Sequence, residues 1–201
     1  MESKQLTPLF FDLETQRSFD EVNYEFSELG VSVAVVREAK KDTVYYEDDV
    51  PALIERLKAA DLIVGHNHIR FDYTVLRGYG LDNELYNYLA NKSYDTFAHL
   101  QEITGERISL DHLSKNNLEG GPGKLAPGAK CIEWYKSGKI EKIVELCSDD
   151  VHRLARIFGL IVLGRPLRIK QYWLEGEDKF KEALVTLPKP SLTVPGNPKE
   201  E

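Results

Sequence analysis

Apolar and polar positions change rhythm several times along the chain, and the rhythm predicts the elements. Residues 7–14 (TPLFFDLE) and 29–37 (LGVSVAVVR) are rich in apolar and β-branched side chains, and 43–47 (TVYYE) continues in that style, so three strands are predicted. Pro51 opens a helical stretch, PALIERLKAA, at a position where a helix start tolerates proline. Residues 61–65 (DLIVG) form a short apolar run of the kind covered on both sheet faces, and a helix follows over about 70–79. The order β-β-β-α-β-α, continued by a mainly helical half, predicts an α/β fold with a mixed sheet flanked by helices.

In the second half, Asp95 and Ser109 suit helix N-caps for segments near 96–104 and 110–117. The long helix from about 139 to 161 gives the sharpest periodicity. Ile140, Ile143, Val144, Cys147, Val151, Leu154, Phe158 and Ile161 follow a 3.6-residue repeat and define one buried stripe. At about 100° per residue, Asp150 falls roughly 60° from the stripe's centre, whereas Asp149 and His152 fall about 160° and 140° away and face solvent. Residues 119–130 (EGGPGKLAPGAK) lack the spacing of a phosphate-binding loop and are expected to be a flexible loop. Residues 1–187 are expected to form one domain, and the proline-rich 188–201 a flexible tail.

Composition adds limits. A hydrophobic fraction of 42% and a charged fraction of 29% are ordinary for a globular protein, and no apolar run approaches the ~20 residues of a membrane span. The N-terminal stretch lacks the layout of a secretory signal, and Cys131 and Cys147 form no CxxC pair. Reduced thiols in a cytoplasmic protein are the expectation. The net charge of −7 argues against a protein that coats long stretches of nucleic acid, but not against one engaging a few nucleotides at a cation site. Basic residues gather at Lys124, Lys130, Lys136, Lys139 and Lys142, and again at Arg165, Arg168 and Lys170. Solvated surface is one reading of both groups.

The candidate chemistry lies in four acids. Asp12 and Glu14 are two apart on a strand and so share a face, with Phe11 and Leu13 on the other. Burying two adjacent carboxylates is costly unless cations neutralise them. Asp72 belongs to GHNHIRFD at 65–72, where a buried strand gives way to a helix, a usual place for functional groups in α/β sheets. His66 and His68 have no third His or Cys beside them, which disfavours zinc. With Asp150 at a core boundary, the set is what a two-metal phosphodiester site requires. Two hard ions, Mg²⁺ or Mn²⁺, about 4 Å apart activate a water and stabilise the leaving oxygen.

FFDLET, HNHIRFD and LCSDDV, in this order, resemble the three motifs of the DEDD superfamily of 3′→5′ exonucleases, which have the ribonuclease H-like fold. The similarity spans roughly residues 7–165, includes YDTF at 94–97 and SLDHL at 109–113, and looks closest to a bacterial helicase-associated branch. It implies Asp12, Glu14, Asp72 and Asp150 as catalytic metal ligands, Thr15, Asn67 and Phe71 as substrate-binding residues, and a nucleic-acid 3′ end as partner, beside a helicase or another processing protein. DNA and RNA remain equally open. The third motif departs from the family, because Leu146 and Glu145 stand where a Tyr or His would handle the attacking water. A metal-bound hydroxide, His112 or Tyr94 would then have to serve, and Leu146→Tyr is expected to raise the turnover of a weak enzyme. The alternative is a weak or inactive nucleic-acid-binding or partner-docking module on the same fold.

Overall fold

In the computed structural model, residues 4–172, 180–190 and 193–194 are described. The chain runs β1 (Lys4–Gln5), β2 (Pro8–Thr15), β3 (Val31–Glu38), β4 (Lys41–Tyr45), α1 (Val50–Ala59), β5 (Leu62–Gly65), α2 (Asp72–Leu76), α3 (Asn83–Asn91), β6 (Ser93–Asp95), α4 (Thr96–Thr104), α5 (Leu110–Asn117), α6 (Ala129–Lys136), α7 (Ile140–Val162), β7 (Leu167–Tyr172), β8 (Phe180–Val185) and β9 (Thr193–Val194). The main sheet has the order β4-β3-β2-β5-β6. β2 pairs antiparallel with β3 and parallel with β5, and β5 pairs parallel with β6, which makes the sheet mixed.

β2 is central, and its alternation divides the core. Leu9, Phe11 and Leu13 pack with Leu53 and Leu57 of α1 and with Tyr73, Val75 and Leu76 of α2. On the opposite face Phe10 meets Phe158 of α7 edge-on at 5.5 Å, and Asp12 and Glu14 point the same way. Val33 and Val35 of β3 pack there against Cys131 of α6 and Ile143, Leu146, Cys147 and Val151 of α7. All four residues of β5 are buried, as a strand covered on both faces should be. The register of β2 against β3 shifts between Glu14 and Thr15, a bulge that re-aims side chains at the strand's carboxyl end.

Five elements had no clear signal in the sequence. β6 is only three residues long, α3 and α6 are short, and β7 with β8 forms an antiparallel hairpin outside the main sheet, so the second half is less purely helical than its periodicity indicates. Most of the expected tail, 188–201, lies outside the described residues. Within it Thr193–Val194 pairs with Lys4–Gln5. No helix among the described residues is long and apolar enough to cross a membrane.

Candidate metal centre

Three of the four predicted acids converge. Asp12 and Glu14 from β2 and Asp150 from α7 each offer an oxygen, and these oxygens lie within 4.8 Å of one another. Among the described residues this is the one such group of metal-capable side chains. Asp150 is 5% exposed, in keeping with its place at the edge of the buried stripe. Asp72 stands just behind the group: it is buried in the first turn of α2 and accepts a hydrogen bond from the Leu13 N–H at 3.1 Å, which ties α2 to the carboxylate-bearing strand.

The acids press on one another. Burial raises the pKa of Asp12 well above its ordinary value, and the charges of Asp72 and Glu14 add to the rise. Burial likewise raises Glu14, with the Lys124 ammonium acting against it. Asp72 is pushed up to about 8, chiefly by burial, with Asp95 and Glu14 contributing and the N–H groups of its own backbone and of Leu13 opposing. An oxygen-only set of strained carboxylates fits a hard divalent cation, which would relieve both the burial and the repulsion.

Two cations of the protein already lean on the set. Lys124 Nζ lies 3.0 Å from Asp150 Oδ2 and 3.6 Å from Glu14 Oε1. Arg153, fully buried, pairs with Asp150 Oδ1 and donates to Asp149 Oδ2 at 2.8 Å. Lys124 therefore corrects the expectation of solvated surface for its basic stretch, and the glycine-rich segment that carries it packs against the centre. Lys130, Lys136 and Arg168 do make surface ion pairs, with Glu133, Glu21 and Glu182. Thiols complete the floor, since Cys147 Sγ lies 3.6 Å from Asp12 Oδ2 and Cys131 hydrogen-bonds Glu14. Both cysteines are free and buried.

A cleft of about 380 Å³ opens over the acids, lined by Asp12, Asn67, Arg107, Asp111, Lys124 and Asp150 among others. A second, of about 330 Å³, adjoins Glu14 and is lined by Thr15, Phe19 and Phe71. Phe71 packs edge-on against Phe19 and Phe26, so it is both packing and cleft wall. Asn67 sits at φ 68°, a left-handed backbone that its N–H helps to hold by donating to Asp95 Oδ1 at 2.8 Å. Asp95 also accepts from Ile69, Phe97 and Ala98 N–H groups, and the buried His68 ring lies 3.4 Å away. This one carboxylate thus caps α4 and fixes the turn that presents Asn67.

The auxiliary candidates are engaged elsewhere. His66 bonds Thr96 and the Ile108 carbonyl, and burial lowers its pKa to about 4. The Tyr94 hydroxyl donates to the Pro188 carbonyl, and His112 Nε2 accepts from the Lys170 N–H. The cause is shared: a polar group in a packed interface finds a local partner. Leu146 is 1% exposed in the β3–α7 core, Glu145 is exposed, and His152 pairs with Asp42 at the surface. Asp149, expected to be simply solvated, is tied to Arg153.

Sequence reasoning missed Lys124, Asp111 and Arg153. A lysine after GGPG and an arginine one turn beyond Asp150 were the available signals.

The sequence matches the family model described as the RNase_H superfamily over residues 9–162. No curated protein matches it. Among solved structures, the family B DNA polymerase from the hyperthermophilic archaeon Pyrobaculum calidifontis is similar at 17% identity and a TM-score of 0.58, covering 80% of this chain and 25% of that one. A product-bound exonuclease I has 14% identity and a TM-score of 0.46, covering 80% and 44%. A zinc-bound complex of Escherichia coli exonuclease I with single-stranded DNA has 16% identity and a TM-score of 0.39, covering 81% and 44%. The chain thus spans a quarter of the polymerase and under half of exonuclease I.

Proposed function

We propose, for a chain that belongs to the RNase_H superfamily and has its mixed sheet flanked by helices, that the protein is a metal-dependent nuclease of the DEDD type. It would remove nucleotides from nucleic-acid 3′ ends by hydrolysis. The observation that carries this reading is the approach of Asp12, Glu14 and Asp150 to within 4.8 Å beneath an open cleft, with Asp72 buried behind them.

Asp12, Glu14 and Asp150 would hold Mg²⁺ or Mn²⁺, with Asp72 completing the set for a second ion. When bound, such ions supply an activated water and charge neutralisation at the scissile phosphate. The protein's own groups do the rest. Arg107 and Lys124 line the cleft with the acids and offer positive charge to the phosphodiester backbone, which reconciles a net charge of −7 with an anionic substrate. Asn67 faces the same cleft on a turn held by Asp95. Thr15 and Phe71 border the neighbouring cleft, where a terminal base has an aromatic wall to stack on. Arg153 keeps one oxygen of Asp150 occupied and so limits how that carboxylate can turn.

A second reading has its own observation. Leu146 lies in the core, and His112, Tyr94 and His152 already have hydrogen-bond partners away from the acids. That favours a slow enzyme or a non-catalytic binding module, since general-base help is typically worth 10²–10⁴-fold. The motifs' resemblance makes a helicase or other nucleic-acid-processing protein the proposed partner, and two free thiols support a reducing, cytoplasmic setting.

End-labelled single strands of DNA and RNA, incubated with Mn²⁺ or Mg²⁺, separate the readings. The nuclease reading expects stepwise shortening from the 3′ end that stops in Asp12→Asn and Asp150→Asn. Tight binding without turnover at every metal concentration supports the module instead.

A further inference from the structure

The geometry points to Lys124 as a tethered cation: its ammonium holds the place between Glu14 and Asp150 in the metal-free protein, and a divalent ion takes those oxygens only by displacing the lysine side chain. The inference rests on the reading that these carboxylates bind divalent ions.

The ammonium lies 3.0 Å from Asp150 Oδ2 and 3.6 Å from Glu14 Oε1, and these two residues belong to the converging triad. A metal ion and an ammonium cannot both approach the same oxygens, because like charges a few ångströms apart repel strongly where water is scarce. Arg153 already occupies Asp150 Oδ1, so Oδ2, the oxygen that Lys124 holds, is the one left to a metal.

The segment that carries the lysine is built to seat it. The Lys124 N–H donates to Asp111 Oδ1 at 2.5 Å, and Asp111 is held in turn by Lys115 at 2.8 Å. Gly121 adopts φ 52°, and a side chain at Gly123 would run into the Lys115 stem at 2.6 Å, so glycines allow the chain to pass here. The Lys124 side chain is 29% exposed and borders the open cleft, which gives it somewhere to go. Asn67 and Arg107 line the same cleft, so a released ammonium would meet an anionic phosphate there. Nucleic acid that draws Lys124 away would therefore tighten metal binding, and metal would tighten nucleic-acid binding by the same factor.

The test uses the full chain without nucleic acid and reads Mn²⁺ binding by calorimetry. Lys124→Met is expected to bind Mn²⁺ about tenfold more tightly than the wild type, the effect of removing a competitor worth one decade. Lys124→Gln should behave alike, and Lys130→Met, which loses only a surface pair, should match the wild type. Equal or weaker Mn²⁺ binding by Lys124→Met overturns the inference. Asp150→Asn keeps the two claims apart: if it binds Mn²⁺ as well as the wild type does, the metal reading itself fails. Binding that needs Asp150 but ignores Lys124 removes only the tethered cation.

Discussion

Replacing Asp72 with Asn removes one titratable carboxyl whose charged form is disfavoured by burial. The side chain is 3% exposed, and its Oδ1 accepts from the Leu13 N–H, a role that the asparagine oxygen can keep. The carboxyl is raised from 3.8 to about 8 in the folded protein. The sign follows from the raised value. Below about pH 4 both folded and unfolded chains hold the proton, and the group costs nothing. Between there and pH 8 the folded protein keeps a proton that the unfolded chain has released, so stability falls as pH rises, by about 1.4 kcal/mol per unit. His66, pushed down to about 4, acts in the opposite sense, but only up to its ordinary 6.5. From pH 6.5 to 8 the carboxyl therefore acts unopposed by that histidine. The wild type should lose about 2 kcal/mol over this window that Asp72→Asn does not lose, or roughly 4–8 °C in Tm for a domain of this size. Asp12 and Glu14 share the sign, so the quantity to measure is wild type minus variant. Thermal melts of both proteins in EDTA at pH 6.5 and 8.0 would show the gap opening, and Mn²⁺ should close it for the wild type. Parallel pH dependences would refute the idea that burial and the neighbouring acids hold the proton on Asp72.

Two further substitutions probe how the site is held. In Gly65→Ala the new methyl would meet the buried His68 ring at 2.3 Å. A loss of about 1–3 kcal/mol in urea unfolding is expected, with His68 pushed from Asp95 and the Asn67 turn loosened. An unchanged midpoint would show that the ring has room to move. Leu146→Tyr, which the third motif alone would promote, is now expected to overpack the β3–α7 core by a similar ~1–3 kcal/mol and to leave turnover no higher. Faster cleavage at undiminished stability would contradict this.

The acids were legible because strand and helix periods are rigid. Two residues apart on β2 must share a face, and a 3.6-residue repeat puts Asp150 at the edge of the α7 stripe. The three strands, α1 and β5 were legible because apolar and β-branched runs or a helical repeat are set off by clear punctuation. The hairpin of β7 and β8 was missed although LRIKQY starts with the apolar-charged alternation of a strand, because it is short and follows directly on the long helix. Lys124 was hidden for a deeper reason. Its place depends on a loop whose path is set by contacts with Asp111 and Lys115 rather than by any local period. Arg153 faces inward only because two acids on its own helix, Asp149 and Asp150, receive it. Leu146 looked like a vacancy in a catalytic motif, yet the volume around it is filled by Val33, Val35 and their neighbours.

The central claim is that Asp12, Glu14 and Asp150 together coordinate a divalent ion. A crystal soaked in Mn²⁺ and measured at a wavelength where manganese scatters anomalously tests it most directly. A strong peak bonded to oxygens of all three carboxylates, lost in Asp150→Asn, is the predicted result. A peak elsewhere, or none while Lys124 keeps its place at saturating Mn²⁺, would contradict it.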